Sequence, residues 1–168
     1  MVKNKGASVL VSYALIVGVV VTAIMIVLRI GTPILGGSRD VAQVQQAQEV
    51  LTEFESKVNE VASFGRGTSV TVSYSLSQGN YYLSPGNDTI SYEIDSTASI
   101  MSKNTHKMIG PVNMSRSNSS IIRLTVDFSD SQIDLRGRKM NVGSGFYDAS
   151  FTNNGTVSGR TQVEVSLR

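Results

Sequence analysis

The 168-residue sequence lacks several residue types that common functional sites require. It has no cysteine and no tryptophan, and His106 is its only histidine. The absence of cysteine excludes disulfides and thiolate metal sites. His106 lies in the polar segment SKNTHKM, which favours a surface position over a catalytic base or a metal ligand. We therefore expect no enzymatic activity, no cofactor and no metal site.

Three aspartates are the remaining candidates for metal ligands. Asp127, Asp130 and Asp134 carry oxygen atoms of the kind that calcium binds, but their spacing lacks the alternating acidic pattern and the glycine of an EF-hand loop. A basic cluster follows them at residues 136–139. Local charge pairing is the simpler interpretation, and anion or surface binding is the alternative.

Charge is also absent from a long stretch near the N-terminus. No charged residue lies between Lys5 and Arg29. At about 1.5 Å per residue, a helix of this length crosses a hydrocarbon core of roughly 30 Å. A secretory signal has a shorter apolar core, of about 7–15 residues, and a small-residue cleavage site after it. The sequence therefore predicts a transmembrane helix over residues 7–30 rather than an ordinary signal peptide.

Small residues lie before the apolar run instead of after it. Two lysines precede the junction Gly6-Ala7-Ser8, and the helix SVLVSYALIVGVVVTAIMIVL follows it. In this arrangement the sequence resembles the type IV pilin superfamily, most closely its archaeal pilins and the related archaellins. The resemblance covers residues 1–30 and implies that a class III leader, residues 1–6 or possibly 1–7, is removed. Bacterial pilins usually carry a glutamate at the fifth mature position, where this sequence has Val11 or Ser12, so the archaeal type fits better.

The resemblance implies a function and a set of partners. The chain would be a structural subunit of an extracellular type IV-like pilus, a homopolymer held by its apolar helix, with a β-domain on the filament surface for adhesion or related roles. A prepilin peptidase, an assembly ATPase and a membrane platform protein would act on it. The subunit would lie in the cytoplasmic membrane before assembly and in a cell-surface filament afterwards. The alternatives are a monomeric single-pass membrane protein whose β-domain binds a ligand or partner outside the cell, and a minor pilin or pseudopilin of a secretion or DNA-uptake system.

Net charge argues against nucleic-acid binding. The chain has fifteen basic and thirteen acidic residues, for a formal charge of +2. Loss of Lys3 and Lys5 with the leader leaves thirteen of each sign. The mature chain then has no basic excess with which to bind phosphates, so we predict no nucleic acid among its partners.

The apolar helix has features suited to packing against copies of itself. A helix that is apolar on every side is stable in lipid and equally stable when enclosed by similar helices. Ala14, Gly18 and Ala23 offer positions where neighbouring helices approach closely, so they are the predicted filament-core contacts.

Glycine and proline follow the apolar run. Gly31, Pro33, Gly36 and Gly37 lie within a few residues of each other. Because proline lacks a backbone N–H and bends or breaks a helix, we predict a hinge over residues 31–39.

Residues 40–64 have the pattern of an amphipathic helix, which Gly65 and Gly67 would end. Because such a helix beside a sheet forms an ordinary core, we expect its apolar stripe to pack on the protein's own β-sheet, with a subunit contact or coiled coil as the alternative. The stripe comprises residues spaced by three and four: Val44, Ala47, Leu51, Phe54, Val58 and Val61.

From residue 68 the apolar residues alternate, as in half-buried antiparallel strands. Strands are predicted over residues 70–76, 90–94, 122–128 and 163–167, and residues 96–120 are predicted to be a long surface excursion. Turns are predicted at residues 78–80, 84–87, 136–137 and 153–155. The predicted fold class is α+β: a long N-terminal hydrophobic helix continues into the amphipathic helix, which packs on a pilin-like antiparallel β-sheet or sandwich over residues 68–168.

Acceptor sequons for N-glycosylation occur only in the β-region. Their asparagines are Asn87, Asn113, Asn118 and Asn154. Their expected position at turns favours an exposed outer face and predicts a glycoprotein.

Overall fold

The computed structural model describes residues 5–96, 100–117 and 120–168. It begins with one long helix, α1 (Lys5–Ser63), and continues as a β-rich region, so the predicted α+β class is confirmed. The strands are β1 (Ser69–Leu76), β2 (Asn80–Ser84), β3 (Thr89–Asp95), β4 (Thr105–Ile109), β5 (Val112–Arg116), β6 (Ile121–Asp127), β7 (Ile133–Gly137), β8 (Met140–Val142), β9 (Gly145–Val157) and β10 (Arg160–Leu167).

The described strands form two sheets. A four-stranded sheet has the order β1-β9-β10-β7, and a six-stranded sheet has the order β4-β5-β6-β3-β2-β8. β10 pairs with β7 in parallel, whereas its pairing with β9 is antiparallel. The prediction of a wholly antiparallel domain is therefore wrong for this pair. Alternation of apolar residues reports which face of a strand is buried, and it carries no information on the direction of the neighbouring strand.

The C-terminal half of α1 packs against both sheets. The ring centroid of Phe54 lies 5.1 Å from that of Tyr74 on β1 and 5.4 Å from that of Phe151 on β9, both in the four-stranded sheet. It lies 6.0 Å from the ring of Tyr81 on β2, in the six-stranded sheet. The packing of the predicted stripe on the protein's own sheets is confirmed, because all of its residues are buried in the core of the domain. They are Val44, Ala47, Leu51, Phe54, Val58 and Val61.

Three tyrosines give this core polar atoms and altered acidity. Burial raises the pKa of Tyr92 to about 12, and burial also raises the pKa of Tyr74 and Tyr81 above the ordinary value. The hydroxyl of Tyr92 donates a hydrogen bond of 2.8 Å to the carbonyl oxygen of Gln78. All three phenols therefore stay protonated at a higher pH than an exposed tyrosine does.

A buried asparagine fixes the end of α1 against the sheet. The side-chain amide of Asn153 on β9 donates hydrogen bonds of 3.0 Å to the carbonyl oxygen of Val61 and 2.8 Å to that of Phe64. Its Oδ1 accepts a hydrogen bond of 2.7 Å from the backbone N–H of Gly155. The last carbonyl groups of a helix lack partners within the helix. Asn153 supplies the donor for the carbonyl oxygen of Phe64 and a second donor, beside the Phe64 N–H at 3.3 Å, for that of Val61.

A buried aspartate connects the two sheets. Asp88, which precedes β3, accepts a hydrogen bond of 2.9 Å from the backbone N–H of Leu135 on β7. Its other carboxylate oxygen pairs with Arg160 on β10 at 2.7 Å. Asp88 has a positive φ of 51°, which aspartate tolerates better than most residues. Because a buried charge without a partner is costly, these contacts stabilise one arrangement of the sheets.

Two predicted turns lie inside strands. Residues 153–155 belong to β9, and the actual turn between β9 and β10 is formed by Ser158 and Gly159, both at positive φ. Gly137 belongs to β7, where a Cβ atom would clash with the carbonyl oxygen of Val165. Both predictions were wrong because glycine serves here for bulges and close strand approach as well as for turns.

The predicted surface excursion contains a β-hairpin. β4 and β5 pair within residues 105–116, and Val112 and Met114 on β5 are buried. The alternation is hard to recognise because these strands are short and the β4 side chains are largely exposed.

α1 continues through residues 31–39 as helix, contrary to the predicted interruption there. Pro33 removes one backbone hydrogen bond and costs about 3 kcal/mol inside a helix, and each glycine costs about 1 kcal/mol relative to alanine. Helix propagation from the flanking segments offsets these penalties.

Candidate functional site: an exposed apolar helix segment

Residues Val11–Ile30 of α1 are apolar and exposed. Val11–Ile30 is long enough and apolar enough to cross a bilayer. The side chain of Tyr13 is 70% exposed and that of Val27 is 68% exposed, whereas Leu51 and Val58 in the buried stripe are fully enclosed. Exposed apolar surface of this extent marks a contact with lipid or with other protein. We call Val11–Ile30 the apolar segment.

The small residues predicted to pack in a filament core share one groove on this segment. Ala14, Gly18 and Ala23 line it together with Thr22, which was not identified from the sequence. Thr22 lies four residues after Gly18, and this i, i+4 spacing was the signal available in the sequence. Its hydroxyl donates a hydrogen bond of 2.8 Å to the carbonyl oxygen of Gly18, so it is satisfied without water.

Nothing in the described part of the chain explains a glycine at position 18. A Cβ atom there would meet no atom within 4 Å. Glycine within a helix costs about 1 kcal/mol relative to alanine, so the described contacts give no reason for glycine here. Packing of a neighbouring helix at Gly18 stays a prediction.

The predicted leader lies partly outside the described residues. Residues 1–4, including Lys3, are not described. Gly6, Ala7 and Ser8 lie within α1, but the structure does not describe the surroundings of their side chains. Leader processing therefore stays a prediction.

The asparagines of the sequons that the structure describes are exposed, but only one of them lies at a turn. Asn87 ends the short 3₁₀ turn Pro85–Asn87. Asn113 and Asn154 lie within β5 and β9, contrary to the predicted turn positions, and Asn118 is outside the described residues. Modification of these asparagines stays a prediction.

The other candidate polar residues make ordinary surface contacts. His106 is exposed on β4. Asp134 pairs with Arg136 at 2.6 Å, which confirms local charge pairing for this aspartate. Over residues 5–96, 100–117 and 120–168, no three His, Cys, Asp or Glu residues come together in a group that holds a metal ion.

Comparison with known proteins places the chain in a family without assigning an activity. No curated protein and no solved structure matches it. The model of a family of unknown function, DUF7289, matches residues 5–130, which span the apolar segment, the buried stripe and the strands through β6. Because the match covers most of the 168 residues, the chain belongs to the DUF7289 family.

Proposed function

We propose that this chain is a structural subunit of an extracellular type IV-like pilus of the archaeal kind. The observation that carries the proposal is the apolar segment, which is exposed on the isolated chain and continuous with the helix buried in the β-domain. One end of α1 thus requires an apolar environment, and the other end belongs to a folded domain with a polar surface.

The hydrophobic free energy of such a helix is nearly the same in the membrane and in a filament. Lipid tails are as apolar as leucine, so moving the apolar segment from lipid into a bundle of its own copies changes the hydrophobic free energy little. Close packing must then supply the preference for the bundle, and the groove around Gly18 provides a place for it. A prepilin peptidase, an assembly ATPase and a platform protein are the partners that this proposal requires.

A second candidate function rests on the same apolar segment. A monomeric single-pass membrane protein would use it only as an anchor, with the β-domain binding a ligand or partner. Retention of the leader and absence of filaments would favour this function. A minor pilin or pseudopilin would instead be processed, and its low copy number in the filament would distinguish it from a major subunit.

The decisive experiment combines electron microscopy of sheared cell-surface material with intact-mass measurement. We expect filaments in which the chain begins at Ala7, or less often at Ser8. Material that still carries Lys3 and Lys5 would contradict the proposal.

A charge in the groove tests whether the apolar segment forms the filament core. Gly18→Asp places an unpaired carboxylate there, which costs about 3 kcal/mol or more in an apolar surrounding, so filaments should be lost. Gly65→Asp is the matched control, because a Cβ atom at Gly65 also meets nothing within 4 Å but Gly65 lies outside the apolar segment. Normal polymerisation of Gly18→Asp would show that this helix is not the core.

A further inference from the structure

A cleft lies at the end of α1 that is remote from the apolar segment. It has a volume of about 690 Å³ and is lined by residues of the helix end, the loop after it and strands β9 and β10. This volume is within the range of about 300–1,000 Å³ that is common for small-molecule sites. We call it the distal cleft.

One part of the distal cleft is apolar. The ring of Phe64 is 54% exposed and the side chain of Val157 is 53% exposed, and both line the cleft. Phe64 follows the last residue of α1, and Asn153 holds its carbonyl oxygen at 2.8 Å. The ring is therefore attached to a fixed backbone while its side chain faces solvent.

Another part of the cleft carries amide groups that are already oriented. The side-chain amide of Asn154 donates a hydrogen bond of 2.9 Å to the carboxylate of Glu164. The amide of Gln162 donates a hydrogen bond of 3.3 Å to Asp134. Each of these bonds uses one amide hydrogen, which leaves the amide oxygen as an acceptor for a ligand. Groups held in this way lose little conformational freedom on binding.

Arg66 adds a positive charge to the cleft. Its guanidinium makes no ion pair or hydrogen bond within the part of the chain that the structure describes. Its Cδ atom lies 3.2 Å from the place where a Cβ atom of Gly155 would be, and Gly155 has a positive φ of 100°. Glycine at this position thus leaves room for the arginine stem along β9.

We propose that the distal cleft binds an acidic saccharide, a sugar chain that carries carboxylate groups. A sugar ring presents an apolar C–H face, which fits against the exposed ring of Phe64, and a rim of hydroxyl groups, which fits the amides of Asn154 and Gln162. A carboxylate on the sugar would form a charge-assisted, bidentate pair with Arg66. The inference deepens the surface role proposed above and rests on it in requiring that the β-domain is outside the cell. It also requires that Asn154, one of the sequon asparagines, carries no glycan in the chain that binds.

The test is isothermal titration of the full-length chain, solubilised in detergent micelles, with a galacturonic acid trimer. Maltotriose serves as the neutral comparison and inorganic phosphate as the simple anion. We expect the acidic trimer to bind and maltotriose to bind at least tenfold more weakly. Arg66→Ala and Phe64→Ala should each weaken binding of the acidic trimer at least tenfold.

Matched controls distinguish specific binding in the cleft from nonspecific electrostatic or hydrophobic binding. Arg138→Ala removes another exposed arginine, and Phe146→Ala removes another exposed ring, which is 90% accessible. Neither residue lines the cleft, so both variants should bind the acidic trimer as the unmodified chain does. No binding of the acidic trimer, equal binding of maltotriose, or an effect of Arg138→Ala as large as that of Arg66→Ala would overturn the proposal. The proposal would also be overturned if phosphate binds and Phe64→Ala leaves the affinity for the acidic trimer unchanged. Because the titration uses unpolymerised chain, its failure is distinct from a failure to form filaments.

Discussion

At the scale of single residues, the adjacent asparagines Asn153 and Asn154 differ in burial and in contacts. Asn153 is buried and holds two carbonyl oxygens at the end of α1, whereas Asn154 is exposed. In a fragment beginning at Ser38, Asn153→Ala should lower the free energy of unfolding by about 2 kcal/mol, because the hydrogen bonds of its side chain to the carbonyl oxygens of Val61 and Phe64 are lost. Urea denaturation followed by circular dichroism measures the loss. Asn154→Ala is the control and should change stability by less than about 0.5 kcal/mol; equal effects would refute the cap.

The buried tyrosines determine how the fold responds to alkali. In the unfolded chain tyrosine ionises near pH 10, but Tyr92 in the folded chain has a pKa of about 12, and burial raises that of Tyr74 and Tyr81 too. Between these values the unfolded state has released protons that the folded state still holds, so stability falls as pH rises above about 10. Below that pH the contribution is constant.

Urea midpoints of the same fragment at about pH 9 and about pH 11 test this. We expect a lower midpoint at the higher pH and a smaller decrease for Tyr92→Phe, which removes one ionisable group. At the lower pH that variant should be slightly less stable than the parent fragment, because it loses the hydrogen bond to Gln78. An identical decrease in both proteins would show that Tyr92 does not contribute.

At the scale of elements, the continuity of α1 makes a measurable prediction about residues 31–39. The chain has no cysteine, so Met25→Cys and Val41→Cys provide two unique positions for spin labels. Sixteen residues of helix separate them, which gives about 24 Å between backbones at 1.5 Å per residue. Pulsed electron paramagnetic resonance on the chain in micelles should give one narrow distance distribution near this value. A broad or much shorter distribution would restore the hinge that the sequence predicted.

The elements also show what a sequence pattern does and does not contain. The stripe from Val44 to Val61 and the alternation in β1, β3, β6 and β10 were recognisable because burial imposes a period on apolar residues. The parallel pairing of β10 with β7 was not, because strand direction depends on the route of the connections.

Long-range contacts escaped prediction for a related reason. Asp88 appeared in the sequence only as the middle residue of a sequon, and its role in joining the sheets depends on Leu135 and Arg160, far away in the chain. The distal cleft combines Phe64 and Arg66 with strands almost ninety residues later. The apolar segment needed no such information, because a long run without charge is a local property.

For the whole molecule, we expect assembly to depend on the apolar segment and folding to be independent of it. A fragment beginning near Ser38 retains the buried stripe and both sheets, so it should be soluble, folded and monomeric. The mature chain should form filaments only with residues 7–30 attached. Sedimentation velocity of the fragment and electron microscopy of the full chain measure the two properties. Filaments formed by the fragment alone would show that the β-domain carries assembly.

The unbroken course of α1 also has a mechanical consequence. The helix has 59 residues, so it spans roughly 88 Å at 1.5 Å per residue. A pulling force on its apolar end acts along the helix axis and reaches the core through the contacts of the stripe, from Val44 to Val61. These contacts are arranged along the direction of the force, so the load shears them all together instead of peeling them apart one by one. The same side chains that make the domain fold therefore also determine how much tension one subunit withstands.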